Sequence, residues 1–273
     1  MEPSDIIVLT PAWAADPAVA IAACRAGARG TLDLEFISDR TAVEKLARFA
    51  PAGFGLKIGL TTDLACVGGA KPAWVVLPAN HPDLNALAAR FRTAGAEVLV
   101  EVVSMSEAAC GLAVNPDGII LKGHEAGGRV GADTSFVLVQ KFCHAGHKVP
   151  FWVRGGVGPN TAAACLAAGA HGVVLDSQVL LARESPLTDA QRRKLAGMDG
   201  GETAVLGARL GEAFRCYSRA DSAAFQELQR DEDRAADSTA WRAAILSRLG
   251  ASPLPHRSVG GEVGVASTPG EGE

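Results

Sequence analysis

Eight short apolar runs punctuate this chain, most of them followed by an Ala-rich stretch with helical spacing. That alternation constrains the fold more than any other feature. The strand candidates are residues 6–10, 30–36, 55–60, 73–79, 97–103, 118–123, 150–156 and 172–176. Between them, helical patterns cover 17–26, 41–49, 83–94, 106–112, 134–144 and 160–168. Short β-rich runs bounded by Gly and Pro, alternating with 3.6-residue periodicity, indicate βαβ units and parallel strands. Eight such units predict an α/β fold of the (β/α)₈ kind, the TIM barrel, with an open doubly wound sheet as the alternative. The third unit is the weak one. Its connection, TTDLACVGGAK at 61–71, is too short and Gly-rich for a full helix, so a loop or stub is expected there.

After the eighth run, residues 187–250 read as two or three further helices, including 207–217 and 222–234. They exceed the closing helix of a plain barrel and could form a lid or a packing surface. One domain over residues 1–250 is expected. From Ala251 the chain turns to Gly, Pro, Ser and Glu (251–273), a composition that cannot bury enough apolar area to offset ordering entropy. A disordered tail or the start of a linker is expected there.

Composition removes several classes. A net charge of -4 with no long basic run speaks against a nucleic-acid partner, as does an aromatic content of only 5%. No apolar stretch approaches the roughly 20 residues of a membrane helix. The start, MEPSDIIVLTPAW, is not a signal peptide, so a cytoplasmic protein is expected. The six cysteines (24, 66, 110, 143, 165, 216) include no Cys-x-x-Cys pair, which suggests reduced thiols with neither a disulfide framework nor a metal site.

Charges interrupt the apolar runs in a pattern. Glu35, Lys57, Glu101, Lys122 and Arg154 lie towards the C-terminal ends of strand candidates, and Asp176 follows the last. Isolated ions are costly inside a barrel, but three acids and three bases converging at its mouth could satisfy one another and a polar ligand. Active sites of this fold lie at that mouth. The alternative is that some point outward or form a structural ring. The seventh strand runs into RGGVGPN, where glycines let backbone N–H groups approach an anion at a helix start. The eighth runs into DSQVLL, where Ser177 could cap a short helix. The loops after strands seven and eight commonly hold phosphate in such barrels, so a phosphate-bearing ligand is expected.

The segment PDGIILKGHEAGGRVG (116–131), followed by VPFWVRGGVGPNTAAACLAAGAHGVVLDSQ, resembles the nitronate monooxygenase (2-nitropropane dioxygenase-like) family. That family includes flavin-dependent enoyl-acyl carrier protein reductases and the reductases of polyunsaturated fatty acid synthases. The opening IIVLTPAWAADPAVAIAACRAGARGTL is similar to its first βα unit, and the likeness covers roughly residues 5–235. It implies an FMN site. Pro11 and Ala12 would lie against the flavin ring. Lys122, Gly123, Glu125, Ala126, Gly127 and Gly128 would line the ring and ribityl chain. Gly155 and Gly156, with the backbone at Asp176 and Ser177, would hold the phosphate, with Lys57 and Arg154 nearby.

Two positions depart from the family pattern. The catalytic histidine after Gly-Gly is Arg129 here, and arginine does not exchange a proton near neutral pH. His124 is a possible substitute. Asp176 stands where relatives commonly have glycine, and an acid so near the phosphate would repel it unless Arg154 or Lys122 compensates. The arginine form of the motif and the long C-terminal portion are most similar to barrel domains of polyketide synthases.

The reaction implied first is enoyl-thioester reduction, on a small or carrier-protein-bound thioester, with NAD(P)H recharging FMN. Arg129, Glu125 and His124 would polarise the carbonyl. The alternatives are a catalytically impaired FMN-binding or structural barrel serving partner domains of a synthase, nitronate oxidation, or a non-flavin phosphate-binding isomerase using Glu35 and Glu101.

Overall fold

A computed structural model describes residues 1–199, 201–218 and 223–251. Eight parallel strands close into a barrel: β1 (Ile6–Leu9), β2 (Arg29–Leu34), β3 (Gly55–Ile58), β4 (Trp74–Pro78), β5 (Glu97–Val102), β6 (Gly118–Lys122), β8 (Phe151–Arg154) and β9 (Gly172–Leu175). β9 pairs back onto β1, with Ile7 opposite Val174. The strand omitted from that series, β7, is the pair Gly128–Arg129 and lies outside the barrel.

Helices α1 (Ala18–Arg25), α2 (Arg40–Phe49), α3 (Leu84–Thr93), α4 (Met105–Leu112), α5 (Ser135–His144) and α6 (Pro159–Ala167) connect the strands. Side-chain caps start several of them: Asp39 accepts from Ala42 N, Ser104 from Glu107 N and Thr134 from Val137 N. The weak third connection is a single 3₁₀ turn, Leu64–Val67, as its glycines suggested.

Strand alternation sorts the side chains. Val75, Leu77, Val98, Val100, Ile119, Leu121 and Val153 face outward into the main core beneath the helices. Ile7, Leu9, Trp74, Val76, Leu99, Ile120, Trp152 and Val174 fill the barrel interior. At its N-terminal floor the Arg29 guanidinium lies 4.7 Å from the Trp74 ring centre and 5.6 Å from that of Trp152, and pairs with Glu97 at 2.5 Å.

Past the barrel come α7 (Asp189–Ala196), β10 (Thr203–Leu206), β11 (Phe214–Tyr217), α8 (Ala223–Arg234) and α9 (Ser238–Ala251). The expectation of a helix over 207–217 is corrected. The segment is a 3₁₀ turn, Ala208–Leu210, followed by β11. Gly207 and Gly211, at φ 76° and 75°, reverse the chain, and a Cβ on Gly207 would lie 1.9 Å from Trp241 Nε1. β11 then pairs antiparallel with both β10 and β7, making a three-stranded sheet. Phe214 and Cys216 point into a small core with Leu206, Leu228, Trp241 and Ile245, against which Phe36 from the end of β2 packs. The C-terminal helices thus grip the motif segment through a sheet that local helix propensity concealed. Residues 252–273, expected to be a tail or linker, lie outside the described residues, as does Ser222 at the start of the expected 222–234 helix.

Candidate active site at the barrel mouth

One layer above the apolar interior, every strand that carries a charge aims it inward. Asp33, Lys57, Glu101, Lys122 and Arg154 are all buried. Lys57 Nζ donates to Asp33 Oδ2 at 3.0 Å and to Glu35. Lys122 Nζ lies 3.6 Å from Glu101 Oε1, and Arg154 Nη1 donates to Glu101 Oε2 at 2.5 Å. Arg154 also forks onto Asp176: Nε and Nη2 each reach Oδ2 at 2.7 Å. The six charges read from the sequence therefore do meet at the mouth. Asp33 is a seventh, two positions before Glu35 on the same strand face. Its backbone amide is held by Thr10 Oγ1 at 2.9 Å.

The network sets its own protonation. Burial pushes the Asp33 carboxyl up in spite of Lys57. Glu35 and Glu101 are also buried, but Lys57 and Arg154 respectively outweigh desolvation and hold each below the ordinary carboxylate value. Lys57 is raised, because Asp33 and Glu35 outweigh its burial. Lys122 goes the other way: burial, helped by the Arg154 charge, brings it down to about 8.

The predicted phosphate end has a distinct geometry. Gly155 and Gly156 turn at φ 106° and 63°, a conformation that favours glycine, before α6 begins. Asp176 caps a 3₁₀ turn, Ser177–Leu181, its Oδ1 accepting from Ser177 N at 2.6 Å. Gln178 ties this turn to the neighbouring loop, accepting from Asp176 N at 3.0 Å and donating to Val157 O at 2.7 Å. Thr10, Pro11, Ala12, Trp13, Asp33, Gly127, Arg154, Asp176, Ser177 and Leu180 enclose a cavity of about 20 Å³. Six residues assigned to a cofactor from sequence (Pro11, Ala12, Gly127, Arg154, Asp176 and Ser177) thus line one space that opens to solvent.

The motif loop is arranged differently from expectation. Glu125 accepts from Ser135 N at 3.1 Å through each oxygen and from Ser135 Oγ, so its carboxylate anchors the start of α5. It packs against Gly155 and Gly156, and its neighbours Gly123 and Ala126 are buried. The His124 ring bonds through Nδ1 to Gly131 O at 2.6 Å. Arg129, on β7, forms a two-pronged pair with Glu107 (2.6 and 3.0 Å). Burial opposes its charge, but Glu107 more than compensates and holds Arg129 above its ordinary value. Glu107 was not singled out from sequence: it sits in the first turn of α4, 22 residues from its partner. Beside this pair opens a cleft of about 530 Å³, lined among others by Ser104, Glu107, His124, Arg129 and Glu212. Among the described residues no cluster of His, Cys, Asp or Glu is placed to hold a metal ion, and no helix is long and apolar enough to cross a membrane.

Fold and polar layer together define a (β/α)₈ barrel with its candidate site at the C-terminal strand ends, where enzymes of this architecture work. The family profile of nitronate monooxygenase matches residues 42–227, more than half of the chain. This chain belongs to the nitronate monooxygenase family of oxidoreductases. It is 27% identical over 263 residues to the (3aS,4S,5R,7aS)-5-hydroxy-7a-methyl-1-oxo-octahydro-1H-indene-4-carboxyl-CoA dehydrogenase of Mycobacterium tuberculosis, covering 87% of this chain and 72% of that one. The structure of FabK from Thermotoga maritima superposes with a TM-score of 0.81 at 25% identity, over 96% of this chain and 86% of that one. The nitroalkane oxidase of Streptomyces ansochromogenes shares the fold, with a TM-score of 0.70 at 20% identity over 96% and 92% of the two chains.

Proposed function

We propose that this chain is a nitronate monooxygenase-family barrel that serves as a structural or binding domain without flavin chemistry. The observation that carries the reading is the Asp176 carboxylate. It takes both the Ser177 amide and the Arg154 fork, the groups that would receive a cofactor phosphate. The rest of the mouth agrees. Four carboxylates (Asp33, Glu35, Glu101, Asp176) face three cations (Lys57, Lys122, Arg154), so Asp176 tips the layer to a net negative balance that opposes a phosphate dianion. The residues present do not fit FMN, and no catalytic step is assigned through it. At the position of the family histidine, both terminal nitrogens of Arg129 are engaged by Glu107, so no group there exchanges a proton near neutral pH.

A second reading is FMN-dependent reduction of an enoyl thioester with NAD(P)H as reductant. It is favoured by the gathering of Pro11, Ala12, Gly127, Arg154, Asp176 and Ser177 around one cavity and by the likeness to FabK. It requires Asp176 to leave its partners. The visible absorption spectrum of the purified protein, after incubation with excess FMN and removal of the unbound fraction, separates the two. A colourless protein is expected. Retained flavin bands would overturn the flavin-free reading and direct assays to enoyl thioesters.

A further inference from the structure

We infer that Asp176 is an internal stand-in for a bound phosphate: its side chain takes an anion's place between the Ser177 amide and the Arg154 guanidinium at the end of β9. The inference rests on the flavin-free reading and names the residue that decides what the mouth accepts.

The partners of Asp176 are those an anion selects. One is the first amide of a 3₁₀ turn, donated by Ser177 to Oδ1 at 2.6 Å. The other is a guanidinium edge, Arg154 Nε and Nη2, both at 2.7 Å from Oδ2. Oriented backbone amides and a buried arginine fork are the usual receptors for phosphate oxygens. Each also has a support other than the Asp176 carboxylate. Arg154 is only 5% exposed and is held from its other side by Glu101, through Nη1 at 2.5 Å. The turn is held by Gln178, which bonds the Asp176 backbone amide and the Val157 carbonyl. The Gly155–Gly156 turn adjoins Arg154 directly, and its positive φ values belong to the backbone, not to Asp176.

Removing the carboxylate leaves Arg154 on Glu101 and the turn on Gln178, and joins its volume to the adjoining space lined by Pro11, Ala12 and Gly127. It also removes one negative charge from the layer. A monovalent carboxylate on a one-carbon stem is the side chain best able to reach both receptors at once. Its chemistry thus accounts for a phosphate site that is built but closed.

The test titrates inorganic phosphate into the whole parent chain, Asp176→Gly and Asp176→Asn by calorimetry, with sodium chloride matched for ionic strength. Asp176→Gly is expected to bind phosphate at least about tenfold more tightly than the parent, the gain from newly available charge-assisted hydrogen bonds. Asp176→Asn keeps an oxygen to cap Ser177 while removing the charge, so it guards against a folding defect in the glycine variant. A smaller gain of the same sign is expected for it. Two folded variants, checked by circular dichroism, that bind phosphate no better than the parent would overturn the inference. The parent's own FMN spectrum judges the flavin-free reading separately, because the phosphate titrations compare variants with parent.

Discussion

The barrel interior has two layers built by the same strands two residues apart, and they obey opposite rules. The lower layer, with Leu9, Trp74, Val76, Leu99, Ile120 and Trp152, is apolar and stabilises the fold by excluding water. The upper layer, with Asp33, Lys57, Glu101, Lys122 and Arg154, is equally buried and ionic. Burying those charges is unfavourable in itself, and pairing does no more than offset the cost. The lower layer explains why the barrel closes. The upper layer sets the charge balance at its mouth. A damaged lower layer loses contacts, whereas a damaged upper layer leaves a charge stranded.

The largest expected effect breaks the upper layer. Arg154→Met strands Asp176, leaves Glu101 with Lys122 alone, and should cost about 3–5 kcal/mol in urea unfolding. A loss below about 1 kcal/mol would mean that water already reaches this layer, and the contrast would collapse. Leu99→Ala, one step down β5 from Glu101, should cost about 2–4 kcal/mol by the same measurement, through lost burial and a cavity. A larger loss there than for Arg154→Met would reverse the ranking of the layers.

The smallest effect is set by pH. The Lys122 value in the folded chain, about 8, lies below its ordinary 10.5, so the charged form is penalised by folding. Below pH 8 both states carry the proton and the penalty is present in full. Between pH 8 and 10.5 the folded state has released the proton that the unfolded state still binds, so stability rises with pH. Relative to Lys122→Met, the parent should therefore gain up to about 3 kcal/mol across that window. Parallel stability curves for the two proteins would show that Glu101, 3.6 Å away, fully compensates the burial of Lys122. Lys57, raised instead of lowered, contributes the opposite slope only above its ordinary 10.5 and is common to both proteins.

Much of this was legible in the chain because period-two alternation and a charge in an apolar run are local signals. Glu35, Lys57, Glu101, Lys122, Arg154 and Asp176 stood out for that reason. Asp33 was equally accessible, since it shares a strand face with Glu35, yet only the more C-terminal acid was read. Glu107 was not accessible, because a glutamate in the first turn of a helix is ordinary until Arg129 is seen against it. The 207–217 segment misled because its Ala, Leu, Arg and Glu favour helix, while pairing with Gly128–Arg129 and packing on Trp241 favour a strand. Local preferences of a few tenths of a kcal/mol per residue yield to such contacts.

The sequence by itself determined the number of βα units, the face each strand presents and which residue types reach the mouth, since these follow from spacing along one chain. Tertiary structure alone decided the partners: that Asp176 would turn onto Arg154 and Ser177, that Arg129 would be held by Glu107, and that a hairpin would clasp the motif loop. A charge can be located from its neighbours in the chain. What it neutralises depends on distances between strands that only closure of the barrel sets.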